Sequence, residues 1–215
     1  MSPPEKRART LVKVCGIRSP ELARMAFEAG ADAVGVVLVP GTPRAVTAEL
    51  ALRIAEVDPL RCVLVLRDPD AETVDFASIW RGPVQFHPPF AEPRRRHIRA
   101  MAGDAISGAT STTSQSAWLL DAPAAGSGEA WSWPAHDGLP EGLPVILAGG
   151  LTPDNVAEAI RKARPWAVDV SSGVERERGV KDPTRIRAFI DAVRACDHAD
   201  GRTLTPSPAG FDALR

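Results

Sequence analysis

The feature that most restricts this chain is a repeated grammar in which a short apolar run is followed by a helical segment. Residues 10–15 form a β-branched run that stops at Gly16. Ser19-Pro20-Glu21 then opens a helix, with a serine able to cap, a proline at the first helical position and an acid near the positive end of the dipole, and Gly30 closes it. The pattern recurs as strand 33–39 with helix 47–57, and as strand 61–66 with helix 71–79. Strand 83–86 follows, and strands 117–121, 144–148 and 167–170 come later, the last two preceding helices 152–162 and 182–195. Strands that are apolar on both faces and alternate with helices require a parallel sheet covered by helices. A chain of 215 residues at roughly 25–30 per strand–helix unit holds seven to eight units, enough for a single-domain α/β fold of the (β/α)8 barrel type. An open doubly wound sheet is the competing architecture.

The grammar weakens between residues 88 and 116, so an irregular region is expected around strands four to six. Pro88-Pro89, Pro93 and the polar run 107–116 are poor material for helix or strand. A fifth strand is placed at 97–101. Residues 1–9 read as a disordered or extended leader, 10–196 as the barrel and 197–215 as a frayed tail carrying Gly201, Pro206 and Pro208.

Composition narrows the function classes. With 26 Lys and Arg against 27 Asp and Glu, the net charge of −1 provides no basic footprint for nucleic acid. The dense cluster Arg94-Arg95-Arg96-His97 reads as a solvated patch. No stretch approaches the roughly 18 apolar residues of a membrane span, so no membrane partner is expected and the cytoplasm is the expected compartment. Cys15, Cys62 and Cys196 lack metal-ligand spacing with the histidines, so they are read as free thiols and no metal site is expected.

In a parallel barrel the reacting groups sit at the C-terminal ends of strands. Cys15 ends the first strand, and strand alternation puts Lys13 on its face, where an ammonium would favour thiolate. A small buried hydrophobe is the other reading of Cys15. Asp121 ends an apolar strand, where burial would raise its pKa and make it a proton donor; a loop or capping acid is the alternative. Asp169 is a candidate partner for Lys13 across the closing strands, in which case Lys13 lends Cys15 less charge. Gly149-Gly150 follow a strand and precede a helix start at Thr152-Pro153, and Ser171-Ser172-Gly173 end the last strand, so both runs can present amides to a phosphate. Arg44, set up by Pro43, could grip a carboxylate with its fork or be a surface charge. His87 could line the mouth or satisfy local backbone.

Taken together, Lys13-Val14-Cys15-Gly16-Ile17, Pro43-Arg44, Gln85-Phe86-His87, Leu120-Asp121, the run from Leu147-Ala148-Gly149-Gly150 to Asn155-Val156, the run from Asp169 to Glu175 and Gly179-Val180-Lys181-Asp182 resemble the phosphoribosylanthranilate isomerases of tryptophan biosynthesis. The resemblance spans residues 10–195. It implies an eight-stranded barrel that carries out an Amadori rearrangement of a small phosphorylated substrate, N-(5-phosphoribosyl)anthranilate, without cofactor or metal. By that resemblance Cys15 is the general base and Asp121 the general acid. Arg44 is the carboxylate ligand and His87 a further substrate contact, with Gly128, Gly149, Gly150, Ser172 and Gly173 at the phosphate. A monomer or weak homodimer is expected. His87 is followed by Pro88-Pro89 where the family usually has glycine. A paralogous isomerase acting on another phosphoribosylated amine, or a non-catalytic sugar-phosphate-binding barrel, are the alternative readings.

Overall fold

Eight strands close into one barrel: Leu11–Cys15 (β1), Ala33–Val37 (β2), Cys62–Arg67 (β3), Val84–His87 (β4), His97–Ala102 (β5), Gln115–Asp121 (β6), Val145–Leu147 (β7) and Ala167–Val170 (β8). The computed structural model describes residues 8–88, 95–105, 111–122, 132–202 and 210–214. Every strand is parallel to its neighbours, and β8 returns to β1 with Lys13 in register with Asp169. Alternation then sorts the side chains. Leu11, Val63, Ile98, Leu119 and Ile146, with the small Ala33, Ala117 and Ala167 between them, fill the interior. Val12, Val14, Val34, Val36, Leu64 and Leu66 face outward under the helices.

The covering helices are Pro20–Glu28 (α1), Ala48–Ala55 (α2), Ala71–Ile79 (α3), Val156–Ala163 (α4) and Pro183–Ala199 (α5). Four begin where the capping residues dictate, with Asp182 opening α5 by accepting from the Thr184 and Arg185 amides. Ser19 accepts from the Leu22 amide, Thr47 from the Leu50 amide and Asp70 from the Thr73 amide, each satisfying an amide that the first helical turn leaves without a partner. Among the described residues no α-helix joins β4 to β7, only the 3-10 turns Gly103–Ala105 and His136–Gly138. The expected irregularity around the middle strands shows, among the described residues, as these turns in place of covering helices. Among the described residues, no helix is long and apolar enough to cross a membrane.

Three expectations need correction. The helix after β7 starts at Val156, not Thr152, because the Asn155 side chain accepts from the Thr152 amide at 2.8 Å and donates to the Gly150 carbonyl at 2.9 Å, holding residues 150–155 as a turn. Arg95 is no solvated charge. Its guanidinium donates to the Ala77, Trp80 and Gly82 carbonyls at 2.6–2.9 Å, satisfying the end of α3, while Arg94 lies outside the described residues. The C-terminal segment is not frayed where it is described. Phe211–Leu214 forms a 3-10 turn whose Phe211 and Leu214 are buried against the barrel interior. The Phe211 ring lies tilted against Trp166 with centroids 5.0 Å apart, and Ser116 Oγ donates to the Leu214 carbonyl at 2.9 Å. This turn closes the end of the barrel opposite the strand C-termini.

Candidate active site

The C-terminal ends of the strands surround a cavity of about 250 Å³ whose lining includes Cys15, Arg44, His87, Asp121, Gly149, Gly150 and Ser172. Seven of the nine residues singled out in the sequence thus meet at one mouth. Gly173 lies directly behind the lining, and Gly128 lies outside the described residues.

Cys15 ends β1 opposite Gly35 of β2. A Cβ at position 35 would stand 2.7 Å from the Cys15 sulfur. Glycine there is what leaves the thiol room to point into the mouth, where it is 8% exposed. Burial pushes the thiol above its ordinary pKa, and the Lys13 ammonium offsets this only in part. The reason is visible in the geometry: Lys13 Nζ donates to Asp169 at 2.9 Å, and both are buried. The Lys13–Asp169 pair expected across the closing strands is thus present, and Lys13 still favours the thiolate but lends it less charge. Its charge is shared with Asp169, which with Cys15 outweighs burial and raises the Lys13 pKa.

Asp121 ends β6, and burial raises its carboxyl above the ordinary range despite the Ala122 amide donating to Oδ1 at 2.8 Å. A carboxyl so placed is suited to donating a proton. His87 ends β4 and lines the mouth. Its ring nitrogen meets the Gln85 side-chain amide nitrogen at 2.8 Å, so a side chain rather than backbone satisfies it. Burial first, then the nearby Arg67 and Lys13 charges, lower its pKa to about 3, so the ring is neutral throughout the physiological range.

Two glycine-bearing turns face each other on the β7–β8 side. Gly149 and Gly150 have φ of 83° and 63°, conformations that side chains resist. Gly173 approaches so closely that a Cβ would lie 1.9 Å from the Leu151 carbonyl oxygen. Only glycine lets these backbones meet, and their small residues leave amides accessible to an anion. Asn155 braces this loop from below, a role that its ordinary place in a helix start did not announce.

Arg44, from the loop after β2, gives Nε and Nη2 to Glu175 at 2.7 and 3.0 Å. Glu175 begins a short strand, Glu175–Glu177 (β9), that pairs with Val180–Lys181 (β10) in a hairpin after β8. It also accepts from Lys181 Nζ at 2.7 Å and from the Gly179 amide at 3.0 Å. Burial alone would raise the Glu175 carboxyl, but these donors hold it at about 2. Lys181 further donates to Ser171, whose hydroxyl donates to the Cys15 carbonyl at 3.1 Å. Glu175 and Lys181 therefore tie the Arg44 loop to the backbone that carries Cys15. Arg67 and Gln85 also line the mouth without having been singled out as site residues. Only the position of Arg67 at the end of β3 could have flagged it, whereas Gln85 lies within β4.

A mouth with a buried thiol, a raised carboxyl and a glycine anion cradle suits proton transfer on a phosphorylated sugar. Comparison with known proteins agrees. The family model for N-(5'phosphoribosyl)anthranilate (PRA) isomerase matches residues 12–192. The N-(5'-phosphoribosyl)anthranilate isomerase of Pseudomonas fluorescens strain Pf0-1 is 42% identical over 201 residues, covering 85% of this chain and 97% of that protein. The crystal structure of TrpF from Jonesia denitrificans superimposes with a TM-score of 0.73 at 35% identity, covering 87% and 98%. A phosphoribosyl anthranilate isomerase solved in complex with reduced 1-(o-carboxyphenylamino)-1-deoxyribulose 5-phosphate gives 0.68 at 31%, covering 86% and 99%. Barrel, mouth and sequence relatives converge on one assignment: the chain belongs to the N-(5'-phosphoribosyl)anthranilate isomerase family.

Proposed function

We propose that this chain is an isomerase of tryptophan biosynthesis that converts N-(5-phosphoribosyl)anthranilate, an aminoaldose, into the 1-deoxyribulose aminoketose. The observation that carries the reading is the joint lining of one mouth by Cys15, Asp121 and the Gly149-Gly150 turn. The substrate's phosphate lies against Gly149, Gly150, Ser172 and Gly173. Val37, Val39, Val65 and Leu119 offer an apolar wall for the aromatic ring. Arg44, oriented by Glu175, keeps part of its donor edge for the carboxylate, and neutral His87 contacts the substrate without adding charge.

Asp121, whose carboxyl burial pushes upward, gives its proton to the ring oxygen as the C1–O bond breaks, leaving an iminium at C1. Cys15 as thiolate removes the proton from C2, and the released electron pair neutralises the nitrogen to form an enolamine. That enolamine tautomerises to the ketone as its C2 hydroxyl gives up a proton and C1 gains one. The cycle closes when one proton passes from Cys15 back to Asp121. Because both groups are pushed upward, the productive pair is the less populated of the two arrangements of one shared proton. The iminium compensates by making C2–H far more acidic than in the sugar.

We further read the protein as cytoplasmic and as a monomer or weak homodimer. The test of the activity is complementation of a tryptophan auxotroph lacking the isomerase. Growth without tryptophan is the expected result, and expressed, folded protein that fails to support growth would refute the reading in favour of a paralogous substrate.

A further inference from the structure

We infer that Asp169 is a third catalytic residue, whose second carboxylate oxygen accepts a hydrogen bond from the substrate's C2 hydroxyl while C2 loses its proton. The inference deepens the proposed function and rests on it. Asp169 lies on β8 in register with Lys13 of β1, and Cys15 is two residues further along β1 on the same face. Asp169 lines the mouth yet is only 8% exposed. Its Oδ2 accepts from Lys13 Nζ at 2.9 Å. Its Oδ1 is buried, and no group among the described residues donates to it. A buried acceptor without a donor is costly, and such an oxygen in the wall of a binding mouth is explained by a donor that the ligand brings.

The chemistry identifies that donor. Cys15 takes the proton from C2, so C2 stands at the end of β1, and β8 is a strand directly beside it. The group on C2 that can donate is its hydroxyl. Among the described residues Asp121 and Asp169 are the two acids in the lining, and Asp121 is committed to the ring oxygen. Glu175 is already held by Arg44, Lys181 and the Gly179 amide. Both reacting groups feel the Asp169 charge, so it acts on the bonds that change. Burial pushes the Asp169 carboxyl upward, and the Lys13 ammonium pulls it back toward the carboxylate. As C2 is deprotonated its hydroxyl changes from an alcohol to an enol, a stronger acid and hence a stronger donor. Its hydrogen bond to Asp169 therefore tightens between ground state and transition state, which is the condition for an interaction to speed a reaction.

The experiment measures by calorimetry the binding of two probes to wild type and to Asp169→Asn. One probe is reduced 1-(o-carboxyphenylamino)-1-deoxyribulose 5-phosphate, in which reduction of the ketone leaves a hydroxyl on C2, taken as the epimer that matches the substrate. The other is the same compound without that hydroxyl. Wild type should bind the deoxy probe roughly tenfold more weakly, the worth of a charge-assisted hydrogen bond, and this comparison needs no variant to fold. Asp169→Asn should weaken the hydroxylated probe by a similar factor and the deoxy probe less than about twofold. Its kcat should fall further, roughly 10²-fold, because the bond is strongest in the transition state. Loss of the Lys13 partner alone would weaken both probes alike. Equal affinity of wild type for the two probes, equal weakening of both by the variant, or an unchanged kcat overturns the inference while leaving the isomerase reading standing. Wild-type protein that binds neither probe overturns both.

Discussion

Truncating Phe211 to alanine should destabilise the protein by about 3 kcal/mol and leave turnover unchanged. The ring is 1% exposed, sits 5.0 Å from Trp166 and belongs to the cluster that fills the barrel interior. Phe→Ala in a core typically costs ~3–5 kcal/mol, combining lost transfer energy with the cavity left behind. The lower end applies because Phe211–Leu214 is a short terminal turn that can detach, which caps the cost at the free energy of docking it. For a chain of this size each kcal/mol is worth roughly 2–4 °C, so the melting temperature should fall by about 6–12 °C. Differential scanning calorimetry measures this directly. The catalytic mouth is at the other end of the strands, so kcat per folded molecule at 25 °C should match wild type. A shift below about 2 °C would mean that residues 210–214 do not close the barrel in solution. A normal melting temperature with lowered kcat would show that the turn communicates with the mouth in a way the packing does not account for.

Gly35→Ala sets a methyl 2.7 Å from the Cys15 sulfur and 3.0 Å from its Cα. It should lower kcat at least tenfold and destabilise by roughly 1–3 kcal/mol, with a smaller stability loss in a Cys15→Ala background; equal losses in both backgrounds would refute the contact. His87 has a folded-state pKa of about 3 against roughly 6.5 unfolded. Between those values the unfolded chain holds a proton that the native state does not, so stability falls as pH drops from 6.5 toward 3 and then flattens. Chemical denaturation across that window should show a shallower slope for His87→Asn, and an unchanged slope would place the titration elsewhere. The shared proton of Cys15 and Asp121 makes kcat/KM level across neutrality. Its acid limb should lie above the ordinary carboxylate range and its alkaline limb above the ordinary thiol range, because burial raises both groups. A limb centred near an ordinary imidazole value would assign the chemistry to another group.

Much of the fold was readable because local rules and the global fold agree along most of the chain. Helix 71–79 and strand 167–170 were located to the residue, since an Asp70 cap, an apolar run and a proline-bounded turn leave few alternatives. The mouth was readable for a similar reason: in a parallel barrel, strand ends converge, so Cys15 and Asp121 could be placed together without knowing a distance, whereas His87 had two open readings. What escaped depends on contacts between distant parts of the chain. Arg44 and Glu175 are separated by 131 positions, and neither residue type announces the pair. Phe211 and Leu214 are two apolar residues in a segment rich in proline and glycine, too few to show a period. Asn155 could be seen only as a helix opener, although its side chain instead holds the glycine turn. The direction of the Cys15 shift turned on a balance between burial and Lys13 that sequence order cannot weigh.

That Cys15 and Asp121 move the two protons of one isomerisation is tested most directly by steady-state turnover of N-(5-phosphoribosyl)anthranilate by purified wild type, Cys15→Ala and Asp121→Asn. Each variant should lose roughly 10²–10⁴ in kcat while KM stays nearly constant, as expected for groups that act only in the transition state. Wild-type turnover by both folded variants would contradict the claim and send the search for the acid and base to other residues of the mouth.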